Sequence, residues 1–293
     1  MSDTPAWTVG RLLTWTTDYL REHEAENPRL DAEVLLAEAR GCDRIDLYTA
    51  FDEPATEETR VAFRELVRRR AAGMPVAYLV GHREFYALDF HVTPDVLIPR
   101  PETEFVIIAL LDLVKQADRD EQPLRIADVG TGSGVLAVCA AKHVPQCSVL
   151  AIDRSAAALR VARRNVQQHD VSERVELLQS DLFDVVPPEA VFDFVLSNPP
   201  YVSSKEYDEL PRDVRDYEPR LALEGGPGGT DIIVRLIEQA APRLRRGGWI
   251  VLEISPMIER DVVGLLEPSG DWEVGPVVKD LTGLARVVQA RRR

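Results

Sequence analysis

Asn198, Pro199, Pro200 and Tyr201 close the apolar run at 191–196. An amide side chain, two imino acids and an aromatic ring thus stand at the carboxyl end of an expected buried strand. That is the edge where open α/β sheets bind ligands. Proline fixes φ and has no N–H to donate, so the carbonyls of the tetrapeptide are expected to face outward as acceptors. Such a set suits chemistry on a flat, polar, uncharged nitrogen. Read alone, the same four residues are also an ordinary strand-terminating turn.

Three further segments fall at the ends of expected strands. Asp128-Val129-Gly130-Thr131-Gly132-Ser133-Gly134 runs from strand to turn to helix, and its glycines allow close backbone approach and positive φ. The spacing is GxGxG, not the GxGxxG of dinucleotide enzymes. Asp153 ends the next strand, where a carboxylate can accept hydrogen bonds from a ribose diol. Taken singly, it is equally a charge at the start of the following helix. Ser180-Asp181-Leu182-Phe183 follows the third strand, where Asp181 or a backbone donor and the apolar Leu182 can flank an adenine. In this order, on successive strand ends, the three segments indicate a nucleotide-like cofactor.

A parallel sheet is needed to hold these positions. Short apolar strands are expected at 125–129, 148–152, 175–178, 192–196 and 249–254, with helices at 133–142, 155–168 and 231–244. Ser155 reads as an N-cap. Strands alternating with helices imply a mostly parallel sheet covered on both faces. Segments 272–277 and 285–290 are expected to close the sheet as a hairpin edge. Upstream, amphipathic helices are expected at 9–20, at 30–40 (opened by Pro28, closed by Gly41) and at 57–72. These stripes can bury only against one another, as a small bundle. Val76–Val80 and Phe85–Val92 then change to a β period. The chain is therefore divided into a helical bundle at 1–75, a β-hairpin connector at 76–99 and an α/β domain at 100–293.

Composition narrows the function class. The 293 residues are 45% hydrophobic and 29% charged, which excludes a disordered or fibrous chain. No apolar run approaches a membrane span, and Met1-Ser2-Asp3-Thr4-Pro5 begins no secretory pattern. Cys42, Cys139 and Cys147 form no CxxC and leave one thiol unpaired in any scheme, which fits a reducing cytoplasm. Five scattered histidines show no metal-ligand spacing, so no metal is expected. A net charge of −14 weighs against a nucleic-acid enzyme, because gripping phosphates needs clustered cations. The short basic clusters at Arg68–Arg70, Arg243–Arg246 and Arg291–Arg293 read as solvated helix ends and a terminus.

The glycine loop, Asp153 and the Asp181-Leu182 pair, set in the alternation over 100–290, resemble the class I S-adenosylmethionine-dependent methyltransferases. The resemblance implies S-adenosyl-L-methionine as cofactor. It implies Gly130, Thr131, Gly132, Ser133 and Gly134 at the methionine part, Asp153 at the ribose, Asp181 and Leu182 at the adenine, and Asn198 beside the donor. It also implies a Rossmann-like, seven-stranded sheet with an antiparallel last strand. Within this class, Asn-Pro-Pro-Tyr resembles enzymes acting on adenine N6, an exocyclic guanine amine or a glutamine amide. In all three the nitrogen lone pair is delocalised into a π-system and is a poor nucleophile. The Asn198 side-chain oxygen and the Pro199 carbonyl could each accept one N–H and free that lone pair, while Pro200 and Tyr201 pack on the flat group. No strong general base is needed, because the methylated nitrogen loses its proton readily.

Three further segments choose among these substrates. Gly81-His82-Arg83-Glu84-Phe85-Tyr86, Leu97-Ile98-Pro99-Arg100-Pro101-Glu102-Thr103-Glu104 and Tyr217-Glu218-Pro219-Arg220, with the helical N-terminus, resemble the HemK/PrmC family of release-factor glutamine methyltransferases. The resemblance spans nearly the whole chain. It implies methyl transfer to N5 of the glutamine in the Gly-Gly-Gln loop of a bacterial-type peptide chain release factor, modulating translation termination. It further implies that the bundle docks the release factor. A monomer docking a protein partner is the plain expectation, in the cytoplasm that the cysteines suggest and without the direct nucleic-acid contact that the charge weighs against. The alternatives are an N6-adenine nucleic-acid methyltransferase and a ribosomal-protein glutamine methyltransferase. Arg100 is expected to shape the substrate pocket or brace the hinge, or else to pair with Glu102 or Glu104; Glu218 and Arg220 either wall the substrate or pair with each other. Ser255, where the family usually has glycine, and Ala285, where an acidic residue often precedes the arginine, depart from the pattern.

Overall fold

The computed structural model describes residues 6–116, 123–267 and 270–293. Two compact units divide the chain: one runs to Gly81 and takes in Arg212–Tyr217, and the other comprises His82–Pro211 and Glu218–Arg293.

The first unit is helical. It contains α1 (Val9–Glu22), α2 (Pro28–Arg40), α3 (Asp46–Thr49), α4 (Glu57–Ala71) and α5 (Val76–Val80). Thr8 caps α1 by accepting the Arg11 N–H, Pro28 opens α2 at its first turn, and Gly41 ends α2 at φ +64°. The apolar stripes meet as the sequence requires: Leu12, Leu13 and Leu20 of α1 pack with Leu35 and Leu36 of α2 and with Phe63 and Val67 of α4. The strand expected at Val76–Val80 is instead helix α5. Its residues have no strand to pair with; Leu79 enters the bundle core and Gly81, at φ +78°, stops the turn, so packing overrides β propensity. Arg212–Tyr217 folds into this unit as α10, and the Tyr217 hydroxyl donates to the Ala72 carbonyl at 3.0 Å.

The second unit opens with a hairpin, β1 (His82–Phe85) and β2 (Leu88–His91), turning through Tyr86 and Ala87 at φ +51° and +57°. Left-handed backbone at both central residues is what a two-residue hairpin loop needs, although neither is glycine. The Tyr86 N–H donates to Glu104 at 2.9 Å and its ring meets His143, which holds the turn.

The large sheet carries β3 (Leu124–Val129), β4 (Cys147–Asp153), β5 (Val175–Gln179), β6 (Phe192–Ser197), β7 (Leu244–Glu253), β8 (Trp272–Val274), β9 (Val278–Lys279) and β10 (Ala285–Arg292). The path is β5-β4-β3-β6-β7-β10-β8, seven strands, with the two-residue β9 added against β10. The strands β3 to β7 run parallel, and β10 is antiparallel to β7 and β8. Helices α6 (Glu104–Gln116), α7 (Val135–His143), α8 (Ala156–Gln168), α11 (Asp231–Ala240) and α12 (Glu259–Leu266) cover it, and α9 (Ser204–Glu209) follows β6. Alternate strand residues face opposite ways: Ile126, Leu196 and Val251 join one apolar core, and Ala127, Val195, Ile250 and Leu252 the other.

One expectation is met here and one changes. The last segments close the sheet as an antiparallel edge pair, β8 outermost and β10 between it and β7, and Val287 and Val288 are buried on opposite faces as the inner position of β10 requires. The helix expected to reach Leu244 ends at Ala240, since Pro242 sits in a 3-10 turn, and β7 begins five residues earlier than the apolar run suggested. Among the described residues no helix is long and apolar enough to cross a membrane.

Candidate active site

The carboxyl ends of β3, β4, β5 and β6 open on one cleft. Gly130, Thr131, Gly132 and Ser133 line it, together with Asp153, Asp181 and Leu182. Asn198 and Pro200 line the same cleft. Gly134, Pro199, Tyr201 and Arg100 are not on its wall.

The glycine loop is tied down from below. The Gly130 and Thr131 N–H groups both donate to the Ile152 carbonyl, at 2.8 and 2.9 Å. Gly130, Gly132 and Gly134 take φ of +76°, +55° and +86°. At Gly134 a Cβ would also press on Ala162 at 3.3 Å, so this glycine serves the packing of the loop on α8. Beneath the loop, Asp128 is fully buried. Its Oδ2 accepts from the Thr131 hydroxyl at 2.6 Å and the Ala137 N–H at 3.1 Å, while Oδ1 has no hydrogen-bond partner among the described residues. Burial pushes this carboxyl up to about 7, against the pull of those two donors.

Asp153 takes the place at the start of the following helix that was weighed for it, and it also lines the cleft. One oxygen accepts from the Gly132 N–H at 2.9 Å and the other from the Ser155 N–H at 2.8 Å, which joins the loop to the start of α8. Each oxygen keeps lone pairs for a ligand, and the carboxylate lines the cleft. Burial raises its pKa, opposed by the two backbone donors. Asp181 is partly held by Arg235 at 3.1 Å, and Leu182 sits at φ +50° with its side chain nearly buried.

The Ser197 hydroxyl donates to the Val129 carbonyl at 2.6 Å, so the end of β6 is fastened beside the glycine loop. Asn198 Nδ2 donates to Thr103 Oγ1 at 3.1 Å, and its Oδ1 takes no protein hydrogen bond among the described residues. Tyr201 does not present its ring as a cleft wall. The ring packs on the second apolar core and the hydroxyl donates to Glu253 at 3.2 Å. Glu253, buried at the end of β7, has its carboxyl pushed up to about 7 by burial. The Thr103 and Tyr201 hydroxyls pull it the other way, Thr103 without closing a bond of full geometry, for Oε2 is left unpartnered.

Arg100 pairs with neither Glu102 nor Glu104. Its partner is Glu218, a fully buried carboxylate that also accepts the Ile98 N–H at 3.1 Å. Glu218 and Arg220 do not pair with each other, since Arg220 holds Glu224 at 2.6 Å. Arg100 therefore braces the lip of the cleft, where Leu97 and Pro99 stand on one side and Pro219 and Leu221 on the other. Glu102 faces Arg286 at 3.7 Å. Thr103 and Glu253 are the site residues that sequence reasoning passed over. Thr103 lay inside the Leu97–Glu104 segment, and a lone carboxylate near the end of the strand expected at 249–254 was the signal for Glu253.

Fold and cleft together define a class I methyltransferase of the S-adenosylmethionine-dependent kind. A methyltransferase small domain matches residues 109–212, and a PrmC N-terminal domain matches residues 11–81. The hMettl16 catalytic domain shares the fold with TM-score 0.57 and 18% identity, over 78% of this chain and 82% of that one. The release factor glutamine methyltransferase of Rhodopirellula baltica is 52% identical over 99% of this chain and 98% of its own length. That of Geobacter sulfurreducens is 40% identical over 97% of both. The chain belongs to the release factor glutamine methyltransferase family.

Proposed function

We propose that this chain transfers a methyl group from S-adenosyl-L-methionine to the N5 side-chain amide of the glutamine in the Gly-Gly-Gln loop of a bacterial-type peptide chain release factor. The observation that carries this reading is the placing of the Asn198 amide, with a free oxygen, in the same cleft as the glycine loop and Asp153. The residues present suit the cofactor: a loop of left-handed glycines for close approach, a carboxylate with lone pairs for a diol, and Leu182 for a flat base. When bound, S-adenosyl-L-methionine supplies an electrophilic methyl on a sulfonium.

The chain's own part is orientation. Asn198 Oδ1 accepts one N–H of the glutamine amide and the Pro199 carbonyl the other. Two acceptors on one nitrogen favour its pyramidal form and direct the lone pair away from them. Pro200 narrows the mouth, and Tyr201 steadies the turn through Glu253. The Arg100–Glu218 pair holds the lip in register. The helical unit is assigned to docking the release factor, the chain to acting as a cytoplasmic monomer, and the net charge of −14 supports a protein rather than a nucleic-acid substrate. Purified protein with cofactor should add one methyl to the Gly-Gly-Gln peptide of an intact release factor, seen by mass spectrometry, and leave DNA and RNA unmodified. Methylated nucleic acid beside an unmodified release factor would refute the assignment.

A further inference from the structure

An asparagine amide has two ends, and only one of them suits the reaction proposed above. If Asn198 turned its NH2 toward the cleft, it would set donor against donor, leaving the substrate amide without its acceptor. The contact with Thr103 does not by itself prevent this, because a hydroxyl can accept from Nδ2 or donate to Oδ1. The second neighbour of Thr103 decides.

Thr103 is buried at the end of the 3-10 turn Pro101–Thr103, its backbone N–H donating to the Arg100 carbonyl at 3.1 Å. The hydroxyl accepts from Asn198 Nδ2 at 3.1 Å and lies toward the Glu253 carboxyl without closing a full hydrogen bond to it. Glu253 is 1% exposed; Tyr201 already occupies its Oε1, and its Oε2 still wants a donor. With Glu253 ionised, its buried, unfilled oxygen draws the Thr103 proton to itself. Thr103 Oγ1 then has only lone pairs to turn to Asn198. The amide must answer with Nδ2, and Oδ1 is left facing the cleft.

We infer that Thr103 and Glu253 are positioning residues that fix the amide orientation of Asn198, so that its oxygen and not its nitrogen meets the substrate amide. The inference rests on the reading of Asn198 as the acceptor for a glutamine N–H. The same carboxylate takes the Tyr201 hydroxyl, so one buried group sets both ends of the tetrapeptide.

The test compares Thr103→Val, Thr103→Ser and Glu253→Gln in the full chain, with intact release factor as methyl acceptor. Turnover, KM, cofactor Kd and thermal melting are measured for each. Thr103→Val keeps the shape and removes the hydroxyl; kcat should fall about tenfold or more while cofactor Kd stays at the wild-type value. Thr103→Ser restores the hydroxyl and should recover most of the rate, which a packing role for the threonine methyl would not allow. Glu253→Gln puts an N–H donor opposite Thr103, reverses the hydroxyl and should also lower kcat, and it decides the matter if Thr103→Val does not fold. A Thr103→Val enzyme turning over at the wild-type rate, or a Thr103→Ser enzyme as slow as Thr103→Val, overturns the inference. Wild-type protein that methylates no release factor overturns the underlying assignment, and the inference with it.

Discussion

Gly229 presses its bare α-carbon against the backbone of Tyr201: a Cβ there would stand 2.5 Å from the Tyr201 carbonyl oxygen. Gly225 does the same to Pro200, again at 2.5 Å, and its N–H donates to the Val202 carbonyl at 2.9 Å. The Gly-rich loop after Glu224 is thus the backing plate of the tetrapeptide. Gly229 also needs φ +76°, but Gly225 does not take a left-handed conformation, so it isolates the steric effect. Gly225→Ala should lower Tm, by about 1–3 kcal/mol of stability, and reduce turnover by shifting Pro200. Gly264→Ala, in the exposed face of α12 with open space around it, is the control and should raise stability by about 1 kcal/mol. Full activity in Gly225→Ala would mean that the loop does not set the tetrapeptide.

The Arg100–Glu218 pair yields a second expectation. Glu218 has no exposed side-chain surface and Arg100 keeps 32% of its own. Removing the cation takes the charged partner from a buried carboxylate that also accepts the Ile98 N–H. Arg100→Met should therefore destabilise the fold by about 3 kcal/mol, more than Glu218→Gln, which leaves a neutral group in the same space. Urea unfolding of the two variants measures the difference. Equal losses would place the stabilisation in side-chain packing rather than in the charge.

The parallel sheet was legible because its strands carry apolar runs and its helices carry stripes, and both periods are local. The glycine loop, Asp153 and Asn198 were legible because each falls where a run stops. Two kinds of feature were not. Val76–Val80 has the composition of a strand and became α5 because nothing lay alongside to pair with it, which is a tertiary fact. The partners of Arg100, Tyr201 and Asn198 are distant in sequence: Glu218, Glu253 and Thr103. Nearest-neighbour reading offered Glu102 and Glu104 to Arg100, and the fold supplied a residue 118 positions away.

A third expectation concerns pH. Glu253 and Asp128 are both pushed up to about 7, burial being the larger cause in each. Around Glu253, the Thr103 and Tyr201 hydroxyls and Arg286 pull downward and Glu102 pushes upward. Around Asp128, the Thr131 hydroxyl and the Ala137 N–H pull downward and Asp153 pushes upward. In the unfolded chain such carboxyls ionise near about 4. Between these values the native state holds protons that the unfolded state has lost, so stability contributed by these groups is full below about pH 4, falls as pH rises and levels off above about pH 7. Glu253→Gln cannot ionise. Its Tm relative to wild type should climb between about pH 4 and about pH 7 and level off above that, and a difference flat across that interval would show that Glu253 titrates normally.

Asp153 and Asn198 should separate cofactor binding from transfer. Asp153 faces the cleft while bridging the Gly132 and Ser155 N–H groups, whereas Asn198 contributes an oxygen that no protein group uses among the described residues. Asp153→Asn keeps the volume but removes one of two acceptors, so either the loop or the diol loses a bond; cofactor Kd should rise about tenfold, with little change in kcat at saturating cofactor. Asn198→Ala should do the reverse, leaving cofactor Kd nearly unchanged while methyl transfer is lost, because only the substrate amide is deprived of its acceptor. Calorimetric titration of cofactor and single-turnover methylation, run on both variants, give the two readouts. If Asn198→Ala weakens cofactor binding as much as Asp153→Asn does, the amide belongs to the cofactor site and the acceptor role passes to the backbone alone.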